Sequence, residues 1–120
     1  MSSKLEAFNE YREKMNEKIL DADNLVIKRF FNLDHNAYKE GALDVKTKEL
    51  LGLVASTVLR CNDCISYHMI TCADNGVTDE EFHEALSIAM VVGGSITIPH
   101  LRHAFEVLEE IRGKEDPVEK

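Results

Sequence analysis

The sequence predicts an all-α fold, a subunit of about five to six helices built to oligomerise, and three observations predict it. Only two prolines and six glycines interrupt 120 residues, so long segments are free of helix breakers. Between the breaks, apolar residues recur at steps of three and four, the period of an amphipathic helix. One segment is apolar nearly all the way round, and a domain of this size can hardly cover such a helix alone.

Taken in order, Leu5 to Leu20 places Leu5, Phe8, Tyr11, Met15 and Ile19 on one face. Asp21-Ala-Asp23-Asn24 breaks the pattern and offers a cap for the next helix. Leu25 to Leu33 is bulky and β-branched, but no partner strand follows anywhere, so it too is predicted helical. The Phe30-Phe31 pair reads as core or interface. Asp34-His-Asn36 is expected to start a short further helix ending at Gly41. Asp44 caps a helix running to about Leu59, whose Leu50, Leu51, Leu53, Val54, Ala55 and Val58 leave only a thin polar strip. A break near Arg60 starts a new helix at the cysteines, which Gly76 stops after Asn75. Thr78 and Glu81 form a capping box for a helix with Phe82, Ala85, Leu86, Ala89 and Val92 inward, ended by Gly93-Gly94. Pro99 suits the first turn of the last helix, which carries Leu101, Ala104, Phe105, Leu108 and Ile111 before Gly113. Lys114 to Lys120 reads as a charged, fraying tail.

Composition narrows the function classes. A length of 120 residues is one domain, residues 1–120, without room for a second. The chain is 44% hydrophobic and 30% charged, a globular rather than a disordered balance. A net charge of −8 repels phosphate backbones, so no nucleic-acid partner is expected. No apolar run approaches the ~20 residues of a membrane span. Met-Ser-Ser-Lys-Leu-Glu has no apolar region behind a basic start, and the expected location is cytoplasmic. Three cysteines fit a redox or metal-binding role there better than a secreted disulfide framework.

The chemistry concentrates in Cys61-Asn-Asp-Cys64-Ile-Ser-Tyr-His68. Cysteines at i and i+3 on a helix are neighbours, within the span a disulfide bridges. At a helix start, unpaired N–H groups and the dipole stabilise a thiolate, the form that reacts. His68, four residues after Cys64, shares its face and can take the thiol proton; Asp63 works against the thiolate. Glu49 lies in an apolar helix, where desolvation is expected to raise its pKa into the range of a general base. A chain reversal near Arg60 would bring it to His68, giving a proton relay from Glu49 and His68 to a Cys61/Cys64 couple. Two other readings stay open at this point. One is a pair of buried, inert thiols; the other is a zinc site of Cys61, Cys64 and His68 with Glu49 or Cys72. Cys72 itself reads as a small core residue. His100 and His103 share a face, with a solvated or capping role as the default, and Tyr67 either lines the pocket or packs. His35 and His83 are unassigned.

Glu49-x11-Cys61-x2-Cys64-x3-His68, flanked by Lys-Thr-Lys-Glu-Leu-Leu, resembles the signature of the alkylhydroperoxidase D-like group within the carboxymuconolactone decarboxylase family, from about Leu43 to Val92. The resemblance implies an all-helical subunit assembling into a homotrimer or homohexamer. It also implies a peroxidase or thiol-disulfide oxidoreductase with Glu49, Cys61, Cys64 and His68 as its catalytic set. The substrate would be a hydroperoxide or a protein or small-molecule disulfide, or electrons would pass to a peroxiredoxin-type partner. An external dithiol would restore the thiols, and no organic cofactor or metal is needed. The founding peroxidase, a longer two-repeat protein, has a histidine where Asp63 stands here. The decarboxylases of the family resemble it in fold but generally lack the cysteine pair. A non-redox enzyme of that type would need a basic residue such as Arg60 or Arg102 to hold a carboxylate.

Overall fold

The computed structural model describes residues 4–113, so the predicted tail from Lys114 lies outside the described residues. Six α-helices follow one another: α1 (Lys4–Asp21), α2 (Leu25–Ala37), α3 (Val45–Val58), α4 (Asn62–Asp74), α5 (Asp79–Gly93) and α6 (Ile98–Arg112), with one 3-10 turn at Ser95–Thr97. No strand occurs among the described residues.

The caps follow the sequence signals. Asn24, Asp44 and Thr78 each accept a backbone N–H at the start of their helices, and Thr78 and Glu81 complete the reciprocal box. Gly113 closes α6 in the left-handed conformation. Two expectations fail here. The chain does not break at Asp34, where no glycine or proline interrupts it; α2 runs through Asp34-His-Asn36 to Ala37 with Tyr38 as its C-cap. The freed carbonyls of Ala37 and Lys39 are taken by the Lys48 ammonium at 2.9 and 2.6 Å, not by a glycine turn. And Val92, expected inward, is exposed at the end of α5, as Phe105 largely is on α6.

α3 is the centre. It packs against α4 on one side and α5 on another, while α6 covers α4. Leu53, Ile65, Met69, Phe82, Leu86, Ala104 and Leu108 close the core between these four helices. α1 reaches this block at its first turn, where Lys4 pairs with Glu106 and the Leu5 N–H donates to Glu110, each at 2.9 Å. Leu51, Leu59, Ile88 and Val92 remain exposed along an apolar groove between α3 and α5.

The α3–α4 reversal is the feature that builds the site. The Cys61 N–H donates to the Ser56 carbonyl and the Arg60 N–H to that of Thr57, the paired pattern of a Schellman turn. The residue that must be left-handed is Arg60, at φ 64°. α4 ends in the same pattern, Val77 to Cys72 and Gly76 to Ala73, but there a glycine takes the left-handed position.

Candidate active site

The reversal at Arg60 lays α4 back along α3 and sets His68 opposite Glu49, nineteen residues earlier. The His68 Nδ1 and Glu49 Oε1 are 2.8 Å apart, and the Thr71 hydroxyl donates to the same oxygen at 2.6 Å. Glu49 and His68 are removed from water, 5% and 8% exposed, and Thr71 is half-buried. Burial is the largest influence on the Glu49 carboxyl and pushes its pKa up. The hydrogen bonds from His68 and Thr71, joined by the His68 charge, outweigh it and hold the group below its ordinary value. The expectation of a raised pKa is therefore corrected. Its neighbours across the turn, which the sequence of α3 alone does not contain, reverse the sign. An ionised carboxylate only accepts hydrogen bonds, so Nδ1 carries a hydrogen in either state of the ring, and Nε2 is the edge left to gain or lose a proton. That edge faces the Tyr38 hydroxyl at 3.5 Å.

Cys61 is the N-cap of α4 and not a member of its first turn. It is joined to Cys64 in a disulfide with the Cα atoms 5.3 Å apart, and its sulfur also accepts the Cys64 N–H at 3.1 Å. The two sulfurs differ in what they face. Cys64 opens onto a cavity of about 360 Å³, which Cys61 does not line. Asp63, Tyr67 and His68 form the α4 wall of that cavity, Asp34 comes from α2, and Phe8, Tyr11, Arg12, Met15 and Asn16 come from α1. The Arg12 guanidinium lies 4.1 Å over the Tyr67 ring. Burial, followed by the charge of Glu49, raises the Tyr67 pKa, so its phenol keeps its proton.

The remaining candidates fall outside the cavity. Cys72 is fully buried in the core, and burial, then Glu49, pushes its thiol up to about 12; it is the small core residue expected. His103 meets the Ser66 hydroxyl and His100 the Asn62 side chain, each at 2.7 Å. Both join α6 to α4, His103 through a part-buried contact and His100 through an exposed one. His83 stacks on Phe105. Among the described residues no three His, Cys, Asp or Glu side chains converge to hold a metal ion. Neither Arg60 nor Arg102 lines the cavity; Arg12 is its basic residue. Sequence reasoning missed Arg12, Tyr38, Thr71 and Gly52. For Gly52 there was a signal, a lone glycine inside an apolar helical run. For the others there was none.

Residues 25–110 match the profile of the carboxymuconolactone decarboxylase family, a span that holds all four residues of the predicted set.

The chain belongs to the carboxymuconolactone decarboxylase family.

A crystal structure of a family member from Thermotoga maritima, for which a part in an antioxidative response has been suggested, is 59% identical. It covers 95% of this chain and 97% of its own, with a TM-score of 0.86. A family member from Legionella pneumophila is 30% identical over 91% of this chain and 97% of its own, with a TM-score of 0.83. The alkyl hydroperoxide reductase AhpD of Corynebacterium kroppenstedtii is 34% identical over 59 residues, which is 49% of this chain and 34% of that protein. The chain thus matches only about a third of the length of that reductase. Within this carboxymuconolactone decarboxylase family member, α1 and its cavity wall lie outside the residues that match the family profile. No helix among the described residues is long and apolar enough to cross a membrane.

Proposed function

We propose that the protein is a thiol-disulfide oxidoreductase in which Cys64 is the attacking sulfur and Cys61 the resolving one. The observation that carries this reading is that Cys64, and not its partner, opens onto the cavity that His68 also lines. In the reduced protein the Cys64 proton passes to the imidazole, which Glu49 holds by Nδ1. The thiolate attacks the distal oxygen of a hydroperoxide, forming an S–O bond as the O–O bond breaks. The alkoxide leaves as the alcohol, taking the proton from the imidazolium. Cys61 then attacks the sulfenic sulfur, water departs, and the disulfide closes. An external dithiol reopens it by exchange at Cys64. In this scheme Glu49 is not the base the sequence suggests; it orients the ring and balances its charge.

The likeness to an alkyl hydroperoxide reductase, and to a protein for which a part in an antioxidative response has been suggested, favours hydroperoxides over other oxidants. The apolar groove between α3 and α5 supports assembly of subunits, with a trimer or hexamer as the expected form.

The test is mass spectrometry of the reduced protein before and after one equivalent of an organic hydroperoxide. A loss of two hydrogens, mapped to Cys61–Cys64 and reversed by dithiol, is expected. Cys64→Ser should abolish consumption of the peroxide, whereas Cys61→Ser should stop at a Cys64 sulfenic acid that dimedone traps. Unchanged thiols in folded protein would sink the redox reading. Turnover of a carboxylate substrate that survives Cys64→Ser would point to a decarboxylase.

A further inference from the structure

Gly52 lies in the middle of α3, where glycine is less favourable than alanine for the helix itself. A Cβ at this position would stand 2.6 Å from the His68 Cε1, 2.9 Å from the His68 Nε2 and 2.7 Å from the Tyr38 hydroxyl oxygen. Those separations are far inside the distance of about 3.5 Å at which carbon atoms pack. The methyl group that is missing from α3 is the space in which the imidazole and the phenol meet. Tyr38 is also tied in place from the α3 side. Lys48, next to Glu49, binds the carbonyls of Ala37 and Lys39, the residues on either side of Tyr38. The two rings stand with centroids 5.4 Å apart.

We propose that Tyr38 is a positioning residue of the redox site: its hydroxyl holds the Nε2 edge of His68 while Glu49 holds Nδ1, in a clearance that only glycine at position 52 leaves. The proposal rests on the thiol chemistry argued above and adds a third point of control to it. Burial, and next the charge of Glu49, push the Tyr38 pKa up, so the phenol keeps its proton and can donate to the Nε2 lone pair whenever the ring is neutral. When the Cys64 S–H bond breaks and its proton arrives at Nε2, the same oxygen accepts the new N–H. A hydroxyl serves both states by turning its hydrogen. The bond to the cation is the stronger of the two, so the phenol favours the imidazolium–thiolate pair over the neutral one.

Several charged and titratable groups surround this ring. Glu49 faces it from α3. Cys64, Asp63, Tyr67 and Thr71 belong to α4, Asp34 to α2 and Tyr38 to its C-cap, and Arg12 of α1 lies beyond Tyr67. Tyr38→Phe alters none of these charges and keeps the ring, so its effect isolates the hydroxyl.

The experiment is alkylation of Cys64 by iodoacetamide in the reduced, full-length protein from about pH 5 to pH 9. It is followed by mass spectrometry in the wild type, Tyr38→Phe, Gly52→Ala and His68→Asn, with melting curves for each. Tyr38→Phe is expected to melt with the wild type, to shift the midpoint of the pH curve upward, and to lower the rate at neutral pH by roughly three- to tenfold, the scale of one hydrogen bond. Gly52→Ala is expected to move the curve in the same direction, because the added methyl must push the imidazole and the phenol apart. Curves for Tyr38→Phe and Gly52→Ala that overlay the wild type, while His68→Asn shifts, would overturn the role of Tyr38 and leave the thiol reading standing. A curve that ignores His68→Asn as well would remove both.

Discussion

The outer pair α1–α2 and the inner block α3–α6 meet at the cavity, and they are built on different terms. Every buried described residue lies at or after Glu49, and neither α1 nor α2 buries a single one. The block supplies the sulfurs, the imidazole and the carboxylate, whose geometry would have to hold to fractions of an ångström for the proposed proton transfer. The pair supplies one wall of the cavity and, at its far end, Tyr38. Reactive groups on the rigid part with a looser wall opposite is an arrangement in which the reacting set stays fixed while the partner side adapts.

The division can be broken most directly by truncating one phenylalanine in each half. Phe82→Ala, fully buried in the block, should cost about 3–5 kcal/mol in urea unfolding. Phe30→Ala, 65% exposed on α2, should stay within about 0.5 kcal/mol. Equal losses would erase the distinction. A loss at Phe30 that appears only as protein concentration rises would mean that a second copy covers it.

A smaller effect is expected where the block holds its buried charge. Glu49→Gln keeps the shape but loses the charge-assisted bonds to His68 and Thr71, at a cost of about 1–2 kcal/mol near neutrality. The sign with pH follows from the lowered carboxyl pKa. The folded protein binds this proton less readily than the unfolded chain does. The contribution is therefore complete above the ordinary glutamate value of 4.5 and is lost as pH falls through it and below. Melting temperatures taken from about pH 6 to about pH 3 should converge for wild type and variant. A gap that stays constant would show that Glu49 is not held in this way.

The smallest change concerns the two Schellman turns that bracket α4, one closed by Gly76 and one by Arg60. Arg60→Gly relieves a left-handed side chain and should raise stability by roughly 0.5 kcal/mol after the entropy of glycine is counted. A drop instead would mean that the Arg60 side chain makes up for its backbone.

What could be read from the sequence was what neighbours along the chain decide. The caps at Asp44 and Thr78, the stop at Gly113 and the reversal at Arg60 are local events, and once the reversal is granted Glu49 must approach His68. What could not be read depends on groups brought together by that reversal. The direction in which Glu49 titrates is set by His68 and Thr71. The cavity wall comes from α1, whose Phe8, Tyr11 and Met15 have the same spacing whether they face a core or an opening. Val92 and Phe105 also satisfy the helical period, yet they stand exposed because no helix among the described residues packs over them.

The sulfur at the N-cap of α4 has a further consequence. In the disulfide it is a weak acceptor for the Cys64 N–H. Once an external thiol attacks Cys64, the electron pair of the broken bond falls on Cys61, at the one atom where a backbone N–H and the positive end of a helix already wait. The leaving group is welcomed before it leaves. On the proposed chemistry, opening the bridge should tighten the first turn of α4 instead of fraying it, and the helix should draw the couple toward its dithiol form. The amide proton of Cys64 is then expected to gauge the redox state, exchanging more slowly with solvent when the bridge is open than when it is closed.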